Sequence, residues 1–378
     1  MRIPPVGYFS RAINTLFLLL LAGSVSLLGP HPAQSADAIP WTRESSIAEG
    51  LGAPTAVALD ADDNIYVSES SGNRLLVYNS SGQYLKKLGG LSKPVGIAVG
   101  GDGRIYVCNA GSGNVSVYSS TLALVRKLGA GNGEFRFPVA VAVGNSGNIH
   151  VVDAKGNTVK VYRPDGTFLF SFGAHGNDDG NFNFPTSIAI DAATGEIVVS
   201  DMQITQTGIR GARIQVFAAN GAFKRKFGSF GQGEGLLMKP LGTAVDAGGR
   251  IYVSDACQNI VHVFDGGGTY QRSVYDLDHP FRTPLGMAVS RRTGKLYVAS
   301  LNTSTVEVYQ GGTGDGGGGK GSLTFSRTGG GGCSVSGDPS AASSSWMSLL
   351  PLIGVFLYLF ARKNASADRR NDGHTAKP

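Results

Sequence analysis

PTAVALD at residues 54–60 decides the fold, because the chain returns to it five times: PVGIAVG at 94–100, PVAVAVG at 138–144, PTSIAID at 185–191, PLGTAVD at 240–246 and PLGMAVS at 284–290. The prolines recur at steps of 40, 44, 47, 55 and 44 residues. Self-similarity at such a period marks a repeat architecture, in which each unit buries its apolar face against the next copy. Each proline strand leads through a Gly- or Asp-rich turn to a second apolar run: NIYVSE, RIYVCN, NIHVVD, EIVVSD, RIYVSD and KLYVAS. A third run follows: RLLVY, NVSVY, TVKVY, RIQVF, IVHVF and TVEVY. In five copies a fourth strand is expected after a tight turn such as Pro164-Asp165-Gly166-Thr167 or Asn220-Gly221, whose residues supply the backbone angles of a hairpin.

Four short antiparallel strands in each 40 to 50 residues make one blade of a β-propeller, so the six copies predict an all-β, six-bladed ring over residues 41–311. The sixth copy stops after its third strand at Tyr309, while Arg43 to Gly50, ahead of the first proline, reads as a spare fourth strand. Together they predict a composite closing blade that stitches the two ends of the ring into one sheet and removes an open edge.

The text of the loops is more specific. Phe172-Gly173 runs through Gly176 and Gly180 to Phe184-Pro185, then to an apolar strand and a strand ending in Asp. The pattern recurs at Leu128 to Pro138 and Phe227 to Pro240. Over Trp41 to Gly311 the chain resembles the NHL-repeat family of six-bladed propellers. The WD dipeptide of another propeller family is absent, and the kelch glycine pair is not periodic here.

The ends differ in kind from the repeats. Arg2 and Arg11, the apolar run Ile13 to Leu28, and small residues at Ala33-Gln34-Ser35 and Ala36-Asp37-Ala38 predict a secretory signal peptide over 1–38. After the ring comes GGTGDGGGGKGS, opening a Gly/Ser-rich linker over 312–345 that has too few apolar residues for a core. Cys333 follows four glycines; then come an apolar segment over 346–361, expected as a transmembrane or sorting helix, and a basic cytoplasmic tail over 362–378. The arrangement resembles the tripartite C-terminal sorting signals of Gram-negative bacteria, which implies Cys333 as the place of processing or attachment. An uncleaved single span is the alternative. Both readings make the protein exported, periplasmic or at the cell surface, and membrane-associated.

The formal charge of +6 owes much to Arg2, Arg11, Arg362, Lys363, Arg369, Arg370 and Lys377, all outside the repeats. A nucleic-acid partner would want a clustered basic face instead, and none is expected. Lys86-Lys87, Arg126-Lys127 and Lys224-Arg225-Lys226 fall in fourth strands, on the outer rim, where edge charges serve solubility. Three cysteines are too few for a disulfide framework. Cys108 and Cys257, in the second and fifth blades and so on opposite sides of the ring, are expected as buried small apolar residues.

Strand parity nominates a binding face. In an up-and-down blade the loops from strand two to three and from strand four to the next blade share one face, and the other turns share the opposite one. The second set is uniformly tight, as at Gly101-Asp102-Gly103 and Asn145-Ser146-Gly147. The first carries the insertions: Gly129 to Phe137, Gly173 to Phe184, Met202 to Ala212, Gly228 to Lys239 and Asp276 to Thr283. Variable loops on a rigid scaffold are where binding concentrates. The candidate ligand-binding residues there are Glu134, Arg136, His175, Asn177, Asp178, Asp179, Arg210, Arg213, Glu234 and His279, with Asn132, Gln203, Asp276 and Asp278 beside them. Asp178-Asp179 can offer carboxylate oxygens to Ca²⁺, but nothing in the sequence gathers the six to eight ligands such a site takes. Glu69, Asn109, Asp153, Asp201, Asp255 and Ser300, each ending a second strand, can ring the mouth of the channel; a polar group repeated in every blade more often serves the repeat by accepting backbone hydrogen bonds.

The resembling peptidyl-amidoglycolate lyases use histidines that converge on the channel. Here His150 and His262 fall in strands of different blades, and only His175 and His279 lie in long-face loops, which does not make a zinc triad. The reading is therefore a monomeric, non-enzymatic scaffold with no cofactor, taking a protein, peptide or glycan on the long-loop face. The alternative is a metal-dependent lyase or lactonase, with Ca²⁺ or Zn²⁺ at the channel mouth.

Overall fold

The computed structural model describes residues 41–129, 134–276 and 278–311. The expected signal peptide, linker, apolar segment and basic tail, together with Cys333 and Asn132, lie outside the described residues.

Within each blade the strands run from the axis outward. Blade I is Pro54–Leu59, Ile65–Glu69, Arg74–Tyr78 and Tyr84–Leu88; blade II is Pro94–Val99, Ile105–Asn109, Asn114–Tyr118 and Leu124–Leu128. Blade III is Pro138–Val143, Ile149–Asp153, Thr158–Tyr162 and Phe168–Phe172; blade IV is Phe184–Ile190, Ile197–Thr205, Gly208–Phe217 and Phe223–Phe227. Blade V is Pro240–Val245, Ile251–Asp255, Ile260–Phe264 and Tyr270–Val274. Blade VI takes Pro284–Val289, Leu296–Ser300 and Thr305–Gly311 from the end of the ring and Trp41–Ile47 from its start. Every pairing within a blade is antiparallel, and innermost strands contact one another in order around the ring, the last against the first. The chain is a six-bladed β-propeller.

Proline at the head of each inner strand has a structural reason. Pairing slips just after it in all six blades, for example between Pro54 and Ala56 and between Pro240 and Gly242. A bulge is where a strand tolerates a residue with no N–H to give. The carbonyls it turns aside are collected by hydroxyls of the preceding blade: Ser68 Oγ donates to Val95 O (2.6 Å), Thr186 Oγ1 to Pro240 O (2.8 Å) and Ser254 Oγ to Leu285 O (2.7 Å). Counted from each proline as first, the third residue is Ala56, Gly96, Ala140, Ser187, Gly242 or Gly286, and the fifth is always Ala. Neighbouring inner strands come so close that a Cβ on Gly96 would sit 2.5 Å from Val139 O, and one on Gly286 would sit 2.6 Å from Ala56 Cβ.

One aromatic contact repeats around the outside of the core. The residue three before each proline packs in the same cluster as the aromatic ending the third strand: Leu51 with Tyr78, Leu91 with Tyr118, Phe135 with Tyr162, Phe182 with Phe217, Leu237 with Phe264 and Phe281 with Tyr309. Each incoming loop is thereby pinned to the blade it enters. The core is a set of such clusters between blades, not one central core, as side-by-side packing of repeats requires.

The expected composite blade is formed, with Trp41 opposite Gly311 and Ile47 opposite Val306. Arg43 Nε donates to Glu307 (2.6 Å), Lys295 pairs with Glu44 (2.6 Å), and Ser304 Oγ reaches Gly52 O (2.6 Å). On the opposite face, Ser290 Oγ (2.8 Å) and Arg292 Nε (3.0 Å) of blade VI both donate to the buried Asp63 of blade I. The seam thus combines backbone pairing with charge-assisted bonds on two levels.

Two expectations need correction. Met202 to Ala212 is not a loop: strands two and three of blade IV continue through it as a β-hairpin, Thr205 opposite Gly208, because pairing satisfies the backbone that an irregular insertion would leave to water. Cys108 is fully buried in its strand, but Cys257, which lies in the turn after Asp255, is only half-buried.

Candidate functional site

The six polar residues, which end the second strand in five blades and lie within it in blade IV, do not open onto the channel. All are buried, and each binds the loop arriving 16 to 18 residues earlier in the chain. Asp153 accepts from the backbone of Arg136 (2.9 Å), Phe137 (2.8 Å) and Gly156 (3.1 Å). Asp201 accepts from Asn183 and Phe184, both at 3.0 Å, and Asp255 from Met238, Lys239, Cys257 and Gln258. Glu69 takes the Ala53 N–H (3.3 Å) and an Arg74 ion pair; Asn109 takes Ser92 N–H (3.2 Å); Ser300 takes Arg282 N–H (3.0 Å). A carboxylate or amide oxygen here answers backbone donors that would otherwise be buried unpaired, which costs about 1–3 kcal/mol each. Burial pushes the Asp201 carboxyl above its ordinary value, against the pull of Arg213 and the two N–H groups.

The long loops stand above this layer and are tied down from below. Between Phe172 and Pro185, His175 bridges Phe182 in parallel fashion. Between Phe227 and Pro240, Ser229–Phe230 pairs with Leu236–Leu237 in the same sense. Gly173 has φ +83°, and Phe182 covers the space its Cβ would take, so glycine is required. From blade IV, Arg213 donates to Asn177 O (2.5 Å) and Asn181 O (2.8 Å), while Gln215 accepts from Gly180 N (2.9 Å) and donates to Asn181 O (2.8 Å). Gln258 of blade V holds the next loop through Gly233 N (2.9 Å) and Leu236 O (2.7 Å). Sequence reading missed these struts; their signal was a long polar side chain beneath each long glycine-rich loop, within the third strand for Arg213 and Gln215 and in the turn leading into it for Gln258.

The candidate binding residues therefore divide. Arg213 is buried, paired with Asp201 (3.0 Å), and Glu134 accepts the Tyr162 hydroxyl (2.5 Å), so both are spent within the fold and are not presented to a ligand. Asp179 is exposed but engaged by Lys226 (2.6 Å), with Arg213 at 4.0 Å. Asn177 accepts from Asn183 (3.3 Å). His175, Asp178 and Glu234 are exposed, as are Arg136, Arg210 and His279; Arg210 bonds Thr207 across the hairpin tip, and His279 Nδ1 lies 3.6 Å from Asp276. Asn177, Asp179 and Arg213 come together; Glu134 with Arg136, Glu234 and His279 sit on the loops entering blades III, V and VI. Among the described residues, no three His, Cys, Asp or Glu side chains converge as a metal site. A shallow cleft of about 390 Å³ lies between Trp41, Arg43, Tyr275, Asp276, Asp278 and His279. His150 and His262 are buried, and burial lowers both to about 4.

Comparison with known proteins agrees with the fold. No family model matches the chain. Protein brain tumor of Drosophila melanogaster is 33% identical over 104 residues, which is 28% of this chain and 9% of that protein, so the match spans under a tenth of that relative. Among solved structures, a gluconolactonase from Xanthomonas campestris is similar with a TM-score of 0.55 at 18% identity, covering 73% of this chain and 96% of that one. A streptogramin B lyase gives 0.52 at 12% identity, covering 73% and 99%. A Bacteroides thetaiotaomicron protein of unknown function gives 0.56 at 16% identity, covering 73% of each. At such identities the likeness concerns the propeller alone.

Proposed function

We propose that this propeller is a non-enzymatic scaffold, held outside the cytoplasm, that takes a protein, peptide or glycan on its long-loop face. The observation that supports this reading is the one-sided placement of the insertions, together with the struts that hold them: Arg213, Gln215 and Gln258 fix the loops from below while His175, Asp178, Glu234 and Arg210 stay at the surface. A rigid, polar, raised surface binds without a large ordering cost. The inward-turned carboxylates of the second strands leave the channel mouth to the scaffold's own backbone.

A photo-crosslinking residue at position 210 or 234 of the full chain, expressed in its native host, should give discrete adducts, whereas positions 102 and 193 on the tight-turn face should give none. Stoichiometric Zn²⁺ or Ca²⁺ on the purified protein, lost in His175→Ala or Asp178→Ala together with turnover of a lactone, would replace this reading with the lyase or lactonase one.

A further inference from the structure

The outer strands of blades I and II share a pattern, YLKKL at 84–88 and LVRKL at 124–128: two apolar residues, two cations and a buried or half-buried leucine. The apolar pairs face water. Leu85 is 51% exposed, Leu124 53%, Val125 43% and Tyr84 37%; with Phe168 of blade III they are the exposed large hydrophobic residues among those described, confined to three successive blades. The cations are unpartnered by acid. In blade IV, Lys224 and Arg225 pair with Glu196 and Lys226 with Asp179, but among the described residues neither Lys86, Lys87, Arg126 nor Lys127 forms an ion pair, and Lys86 Nζ donates instead to Ser120 O (3.2 Å).

Position along the strand sorts these groups into two tiers. Each apolar pair begins its strand, beside the turn from strand three, and the cations follow two residues on, about 7 Å further from that turn at the rise of a strand. A seam runs between the two blades. Pairing slips after the first residue of the strand, so Tyr84 stands against Tyr78, which packs toward blade VI, while Lys86, opposite Val77, reaches blade II. Arg126 and Leu128 lie against Gly166 of blade III, which leaves Val125 and Lys127 on the side toward blade I. The blade II wall of the seam thus carries an apolar residue at the outer end and a lysine behind it, and the blade I wall carries a lysine at the same depth.

We infer that this edge docks on an anionic phospholipid bilayer, with the apolar tier at the acyl boundary and the lysines at the phosphates. Charge complementarity and tiering favour that occupant: a membrane interface is layered in this order, and lysine stems span the two layers. An acidic protein would satisfy the cations but would give the outward apolar tier no common depth. The tier lies at the tight-turn end of the rim, so docking leaves the long-loop face pointing away from the bilayer, free for a ligand. The inference stands whether or not that face binds one.

Hydrogen–deuterium exchange of the full chain tests it locally, independent of any other membrane contact. Vesicles of phosphatidylcholine with phosphatidylglycerol should slow exchange at 84–88 and 124–128 but not at 223–227 or 270–274, and pure phosphatidylcholine vesicles should not. Each lysine lost should weaken the association roughly 5-fold, so the variant K86E/K87E/K127E, checked for an unchanged thermal melt, should lose the protection. Protection that is uniform around the rim, that appears equally without phosphatidylglycerol, or that survives charge reversal would overturn the inference. So would protection evoked by polyglutamate and not by vesicles, which would give the edge to an acidic protein.

Discussion

Acidification should loosen this propeller through His150 and His262. Their rings are 6% and 0% exposed, and burial holds both at about 4, against about 6.5 in an unfolded chain. The chemistry around His262 fixes the sign. Gln258 Oε1 accepts from Gly233 N and its Nε2 donates to Leu236 O, so its orientation is set; the same Nε2 faces His262 Nε2 at 3.3 Å, which must accept. A proton on that nitrogen would set donor against donor. Because the folded value is depressed, the unfolded chain takes up the proton first: the stabilisation is whole above pH 6.5 and is lost as pH falls through 4. Between pH 7 and pH 5 this amounts to about 2 kcal/mol for each ring, about 4 together, a large share of the roughly 5–15 kcal/mol that holds a domain folded. Urea unfolding at the two pH values reads it as a shift of the midpoint. The double variant His150→Gln/His262→Gln should lose less than half as much stability over that interval. A wild-type midpoint that does not move, or a double variant that falls as far as wild type, would refute the reasoning.

The repeat supplies two further tests by comparison of equivalent positions. Tyr162 donates to Glu134, and Tyr309 has a buried hydroxyl without a partner among the described residues, since Pro280 stands where the blade III loop has Glu134; Tyr162→Phe should cost about 1–2 kcal/mol and Tyr309→Phe should be neutral or stabilising, by thermal melts of the two variants. Gly286→Ala would drive a Cβ to 2.6 Å from Ala56 Cβ and 2.7 Å from its Cα, both on the adjoining inner strand, and should lower stability by about 2–3 kcal/mol, whereas Gly101→Ala in an open turn should change it little in the same assay.

Most of the fold was legible because a repeat reports each rule six times. One proline strand is ambiguous; six at similar spacing, each followed by two apolar runs, leave a propeller as the reading, and the missing fourth strand at Tyr309 pointed to Arg43 and the composite blade. What stayed hidden were features that a single blade owns. The hairpin beyond Met202 looked like an irregular insertion because ITQTGIRG has neither a clean alternation nor an Asn-Gly turn, and the half-buried Cys257 sits two residues beyond the end of the buried strand Ile251–Asp255. The parallel pairing of Ser229–Phe230 with Leu236–Leu237 joins two-residue strands, too short for any period to show.

The candidate site was legible in its location and less so in its chemistry, and one cause accounts for both. Parity and loop length depend only on the order of strands, so the long-loop face follows from sequence. Whether a polar side chain on that face is spare depends on what lies beneath it, and Arg213 shows the difference. By type and position it resembled Arg210, three residues away, yet one guanidinium is buried against Asp201 and two loop carbonyls while the other bonds only a threonine at the hairpin tip. In a strand the side-chain period is two, so residues 210 and 213 fall on opposite faces in an unbroken count. The pairing locates the face: Arg213 stands opposite Asp201, the blade IV copy of the loop-binding polar group that recurs in every blade. Applied to the third strands of blades I to III, the same register places Arg74 opposite Glu69, Asn114 opposite Asn109 and Thr158 opposite Asp153. In blades I, II and IV the residue facing that second-strand polar group bonds to it and is thus committed to the scaffold, and the groups left to meet a ligand are those past it, toward the tip of each loop.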